Sequence, residues 1–308
     1  MGKFIVNRMI AAGFVLLGSL LLVFFINYSL PGDAVDQMLE GTGATPEMAA
    51  NLREELGLDL PFHTQFLEYL KNILQGDFGH SIVNNAPVLD KIITQFPATI
   101  ALTIVSAILS IIFGITLGVF SAIHHNSVID YVARLIGLFG ISMPTFWSGI
   151  LLILIFSVTL GWFPSIGSDG WITLVLPSIA LGLVGSGAIV RMVRNSMLEV
   201  MNEQYILTLR SKGLSEKTVM YKHALRNALI PSITIIGMMI GDMLGGAVVI
   251  ETVFSRQGIG RLVADAITAK DLPVVQGVVF FSAIVYITIN FLVDISYSVI
   301  DPRVRKSF

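Results

Sequence analysis

The sequence predicts an all-α, polytopic membrane bundle of six transmembrane helices with both termini cytoplasmic. Three observations carry this. First, 54% of the 308 residues are hydrophobic and only 13% are charged, a balance outside the range of ordinary soluble domains. Second, apolar runs of the length a bilayer requires, about 20 residues, occur at 9–30, 98–123, 135–160, 171–190, 229–250 and 275–300. Third, thirteen of the 19 Lys and Arg residues fall on the side that holds both termini and six on the other. Such an excess marks the cytoplasmic face.

The elements follow in order. Residues 1–30 form a short cytoplasmic N-terminus and the first span. That run is longer than a signal-peptide core and is followed by no small-residue cleavage site, so the sequence predicts a retained helix. Residues 31–97 form an extracytoplasmic helical segment. In "TPEMAANLREELGL" Thr45 is placed to cap a helix that starts at Pro46 and stops at Gly57. A second helix is expected over 61–74, with Phe62, Phe66, Tyr69 and Leu70 near one face and Gly76 past its end. Residues 98–300 make a five-helix core interrupted by a large cytoplasmic loop at 191–228, and 301–308 are a cytoplasmic tail. Glycine pairs at helical spacing, Gly114/Gly118, Gly137/Gly140 and Gly241/Gly245, predict close helix contacts.

Catalytic signatures are missing. There is no phosphate loop, no H-E-x-x-H, and no cysteine to supply thiolate ligands or nucleophiles. The five histidines have no spacing that would place a metal site on one helix face, and Gly185-Ser186-Gly187 lacks the nucleophile-elbow pattern. The chain reads as a non-enzyme that binds no cofactor, with membrane lipid as its surroundings and no nucleic acid among its partners.

The loop carries the clearest local design. "LRSKGLSEKTVMYKHALRN", residues 209–227, concentrates five Lys or Arg. A short helix over 205–212 is broken by Gly213; Ser215 caps a second that runs to about Asn227, with Glu216 favourable in its first turn. Leu214, Thr218, Tyr221, Leu225 and Ala228 form the expected packing stripe, which leaves Lys217, Met220, His223 and Arg226 facing the cytosol or a partner. The positive-inside rule explains much of the charge but not the glycine-broken pair of helices, which suits a docking platform. Two carboxylates lie inside spans. Asp242, half-way into the fifth, is a pathway candidate because a charge there must face water, a partner or the bundle interior; Asp294 lies nearer the cytoplasmic end of the sixth and suits an internal contact.

From Tyr205 to Pro231 the loop resembles the coupling loop of ABC importer permeases, in the branch that carries peptides, opines and nickel. The matching positions are Lys212, Gly213, Ser215, His223, Leu225, Arg226, Asn227 and Pro231. Further matches run along the chain: "PGD" from Pro31, "GDFGHS" from Gly76, "SMPTFW" from Ser142, "GGAVVIETVF" from Gly245, "GIGRL" from Gly258, "LPVVQG" from Leu272 and "DPRVR" from Asp301. Two places depart from the pattern. Leu207-Thr208-Leu209 stand where these permeases generally have Glu-Ala-Ala, and Arg256-Gln257 where the branch commonly has Trp-Pro.

The resemblance implies the type I ABC importer permease fold in a bacterial or archaeal cell membrane, working by alternating access beside a second, homologous permease. It implies two cytoplasmic ATPase subunits that bind ATP and Mg, and an extracytoplasmic substrate-binding protein. ATPase coupling would fall to Arg210, Lys212, Gly213, Leu214, Ser215, Met220, His223, Arg226 and Asn227, and the translocation pathway to Asp242, also the candidate metal contact. "TPEM", "APVLD", "FGISMPTFW", "GWFPSIGSDGW" and "GMMIGDMLGG" look most like nickel-importing members, which have an acidic residue at the position of Asp242. Nickel or a nickel chelate is therefore the leading substrate, with a di- or oligopeptide or glutathione as the alternative. An ion-coupled secondary transporter that works without ATPases, and a structural membrane protein, are the competing classes.

Overall fold

In the computed structural model the described residues are 2–29, 35, 39, 45–55 and 57–300, with the side chains of 2–5, 7, 55 and 294–300 excepted. The Pro31 "PGD" step, the Asp294 side chain and the 301–308 tail lie outside them. Among the described residues there is no strand, only an isolated antiparallel bridge between His80 and Pro87. Among the described residues five helices are long and apolar enough to cross a membrane, or six where a bent pair counts as one span. The chain divides into two compact units, residues 1–98 with 257–287 and residues 99–256 with 288–308.

The first unit contains α1 (Gly2–Ser29), α2 (Pro46–Glu55) and α3 (Phe62–Leu74). It also holds the start of α4 (Val88–Ile123), α11 (Ile259–Thr268) and the first half of α12 (Leu272–Ile300). Thr45 caps α2 as expected, its Oγ1 accepting from the Met48 amide at 3.4 Å. The predicted aromatic face of α3 packs on the first span: Phe24 meets Phe62, Phe66 and Tyr69 at centroid distances of 5.4, 5.5 and 5.5 Å. Burial pushes the Tyr69 phenol above its usual range. The "GDFGHS" loop is pinned at Ser81, whose hydroxyl donates to the buried Asp271 carboxylate and accepts from Lys91 Nζ at 3.0 Å. Val88, Ile92, Leu262, Val274 and Val278 form this unit's core.

The second unit continues α4 and adds α5 (Val128–Ser142), α6 (Thr145–Leu152) and a π-helical turn at Ile153–Thr159. It then adds α7 (Ile172–Met201), α8 (Gln204–Ser211) and α9 (Glu216–Thr218). A second π turn at Val219–Ala224 leads into α10 (Leu225–Val253). Small residues set the helix spacing at Gly114/Gly118 and Gly137/Gly140 as predicted, but not at Gly241/Gly245, where a methyl on Gly245 would meet no atom within 4 Å. A methyl on Gly187 of α7 would run into the Gly137 carbonyl oxygen of α5, and one on Gly118 of α4 would lie 2.9 Å from the Val190 oxygen.

Two expectations are corrected here. The third span, expected unbroken over 135–160, is the bent pair, with α5 and the α6 segment meeting at 113°. The cause is Pro144: the residue before a proline is driven out of the α region, and Met143 is extended with φ −82° and ψ 132°. A hydropathy window sums apolarity and does not register that break. The loop's second helix, expected to end near Asn227, continues into the fifth span as one helical run, Glu216–Val253, of 38 residues. Pro231 lies inside it without ending it. The carbonyl that loses its partner belongs to Asn227, an exposed residue that water can satisfy.

Candidate functional site

The loop builds its turn from local rules. Gly213, at φ 80°, takes the left-handed conformation that favours glycine. Its amide donates to the Arg210 carbonyl at 2.9 Å and the Leu214 amide to the Leu209 carbonyl at 3.4 Å. This pair of bonds is a Schellman closure of α8. Ser215 then caps the next helix, its Oγ accepting from the Thr218 amide at 3.4 Å. Arg210 and Glu216 join the two sides of the turn, with Nε to Oε1 at 2.8 Å. Asn227 Nδ2 donates to the Tyr205 hydroxyl at 2.7 Å, which ties the second helix back to the start of α8.

The faces of the second helix differ from the predicted stripe. Val219, Met220, Ala224 and Ala228 are buried, whereas Tyr221 is 46% exposed. Met220, expected to face a partner, is thus a packing residue, and Tyr221 changes places with it. The π turn is the reason. Its bonds run from i to i+5, as in Leu225 N to Met220 O, so it spends an additional residue per turn and rotates the following face relative to a regular helix. Leu214, Thr218 and Leu225 of the stripe are half-buried and Ala228 is buried, as expected. Lys212, Gly213, Ser215, Lys217, Arg226 and Asn227 are exposed, and Arg210 and His223 half-exposed. Leu207, which sequence reasoning assigned no role, is 66% exposed on the preceding helix.

Asp242 lies on α10 and is exposed. It borders a groove of about 310 Å³ lined among others by Thr145, Leu181, Gly185, Ile235 and Met238. Thr145 is the only other polar side chain in that lining, and no Lys, Arg or His reaches it. Among the described residues Asp242 has neither a hydrogen bond nor an ion pair, and no group of three His, Cys, Asp or Glu side chains is placed to hold a metal ion.

A cluster missed in the sequence lies at the start of α5. Asp130 is completely buried and accepts from Arg194 Nε at 2.7 Å, Arg194 Nη2 at 2.9 Å, Ser121 Oγ at 2.6 Å and the Asn126 amide at 3.0 Å. Arg194 is 64 residues away, so no local spacing signals the pair. Near the end of α10, Glu251 is also fully buried and accepts from Thr99 Oγ1 at 2.6 Å. Arg256, at the departure from the branch pattern, is buried as well. Burial lowers its pKa while the Glu251 carboxylate works to raise it.

A family model described as "Binding-protein-dependent transport system inner membrane component" matches residues 114–306. The chain belongs to this family. The companion N-terminal model matches residues 1–103. The glutathione transport system permease protein GsiC of Salmonella typhi is 40% identical over 303 residues, 98% of this chain and 99% of that protein. GsiC of Escherichia coli K12 is 41% identical over 284 residues, 92% of each. Among solved structures, an inward-facing MetNI methionine ABC transporter matches with TM-score 0.58 at 20% identity, over 68% of this chain and 95% of that one. An amino acid ABC transporter solved with histidines matches at TM-score 0.51 and 14% identity, over 68% and 94%.

The chain is therefore a permease subunit of an ABC importer with the type I permease fold, a non-catalytic, multi-pass inner membrane protein. Importers of this kind in general combine a permease with a partner permease, ATPases and a substrate-binding protein. The reading as a permease of the peptide, opine and nickel branch holds. The nickel assignment within it gains no support from these relatives or from the surroundings of Asp242.

Proposed function

We propose that residues 204–227 are the joint through which partner ATPases, which bind ATP and Mg, drive this permease, and that the groove beside Asp242 is part of the substrate path. One observation carries the reading. The helix that begins at the capped turn, Glu216, is the same 38-residue helix that bears Asp242, so force applied at the loop reaches the groove along one element. Both termini and the loop are cytoplasmic in this reading, in keeping with the distribution of Lys and Arg. A second, homologous permease completes the pathway and an extracytoplasmic binding protein delivers the substrate.

For the cargo, the named function of the GsiC relatives favours glutathione or a similar small peptide over nickel. The test of coupling is Gly213→Pro in the reconstituted importer. Proline cannot adopt the positive φ of this turn, so ATP hydrolysis should persist while uptake falls at least about tenfold, a barrier change of about 1.4 kcal/mol. Unimpaired coupling in that variant would count against the joint. Stimulation of ATPase activity by glutathione rather than nickel would establish the cargo; stimulation by nickel alone would reverse it.

A further inference from the structure

We propose that Asp242 makes the groove a filter for positively charged groups, so that the path favours the ammonium end of a peptide-like substrate over its carboxylates. This rests on reading the groove as part of the substrate path, and it adds which chemical group the path receives. A carboxylate part-way along a membrane-spanning helix is costly unless something offsets its charge. Elsewhere in the same unit the protein supplies such an offset from its own side chains, as Arg194 does for Asp130. At Asp242 it supplies none: the groove lining contains no cation, and a single hydroxyl, that of Thr145, is its other polar side chain. Within this chain the carboxylate is left to water and to whatever cation enters the groove.

The shape of the site indicates which cation. A bare divalent metal needs several ligands at once, and among the described residues no such set exists. An ammonium group is satisfied by one carboxylate and water, while leucine, isoleucine and methionine side chains receive the apolar remainder of the molecule. Met238 lies one helical turn before Asp242, is 60% exposed and lines the same groove, so a probe attached there senses the carboxylate's field.

Because the chain has no cysteine, Met238→Cys gives a single reactive thiol in this subunit. In the detergent-solubilised importer its modification is followed by the mass of this chain, using a trimethylammonium-bearing and a sulfonate-bearing methanethiosulfonate reagent. A unit charge about 6 Å away in water attracts one reagent and repels the other enough to alter their rate ratio about tenfold. We expect the ratio to favour the cationic reagent, to fall about tenfold when Asp242→Asn is added, and to be retained with Asp242→Glu. A ratio indifferent to Asp242→Asn, or a thiol that neither reagent reaches, overturns the proposal. Because this readout involves no transport, failure here leaves the coupling joint standing, which Gly213→Pro tests separately.

Discussion

Asp130 and Asp242 are both carboxylates on apolar helices of the same unit, and the protein treats them in opposite ways. Asp130 is fully buried and accepts four hydrogen bonds, two of them from Arg194. Asp242 is exposed, borders a groove, and has no partner among the described residues. The first joins α5 to α7 and has no capacity left for another ligand. The second carries an unspent charge in a place where unspent charge is expensive. The contrast teaches that an ionisable residue within a span has a functional reading only once its internal partners have been counted.

The contrast can be broken by removing partners one at a time. Arg194→Ala should have the largest effect, since it removes two of the four hydrogen bonds to the buried Asp130 and leaves only the longer contact to Arg134, at 3.4 Å, as a paired arginine; breaking a buried pair in this way costs about 3 kcal/mol. Thermal unfolding of the solubilised protein would measure this, and a loss below about 1 kcal/mol would mean that Asp130 is not held as described. Thr99→Val removes the hydroxyl that serves the buried Glu251 and should cost about 1.5–3 kcal/mol, the range for hydrogen bonds to charged groups. Glu216→Gln at the loop breaks a pair whose carboxylate side chain is 63% exposed, and should cost no more than about 1 kcal/mol. Asp242→Asn should change stability by less than about 0.5 kcal/mol in either direction, while altering the reactivity of the groove. A large stability loss on neutralising Asp242 would show that it has a structural partner after all.

Much of this was legible in the sequence, for identifiable reasons. The Thr45 and Ser215 caps, the Gly213 turn and the aromatic face of α3 depend on neighbours within a few residues, and all are present. Asp242 was conspicuous because it interrupts an apolar run. The features that escaped depend on geometry that composition does not encode. The 113° bend at Pro144 leaves a hydropathy window unchanged, and the π turn at Val219–Ala224 exchanges Met220 for Tyr221 without altering any residue's helical preference. The Asp130–Arg194 pair joins positions 64 apart, which only the folded contact between α5 and α7 brings together. The same limit applies to cargo. Local motifs placed the chain in its family but pointed to nickel, whereas the relatives at 40% identity are named for glutathione.

The unbroken passage of the Glu216–Val253 helix through Pro231 has a mechanical corollary. At a rise of about 1.5 Å per residue, this element is a rod about 57 Å long, roughly twice the thickness of a bilayer's hydrocarbon core. Pro231, which takes one bond out of the ladder, and the π turn at Val219–Ala224 are the places where this rod yields most easily. Both lie between Glu216 and Asp242, with Pro231 about 22 Å from the first and about 16 Å from the second. A sideways push at the turn is therefore partly absorbed by bending before it reaches the groove, whereas a push along the helix axis is carried through.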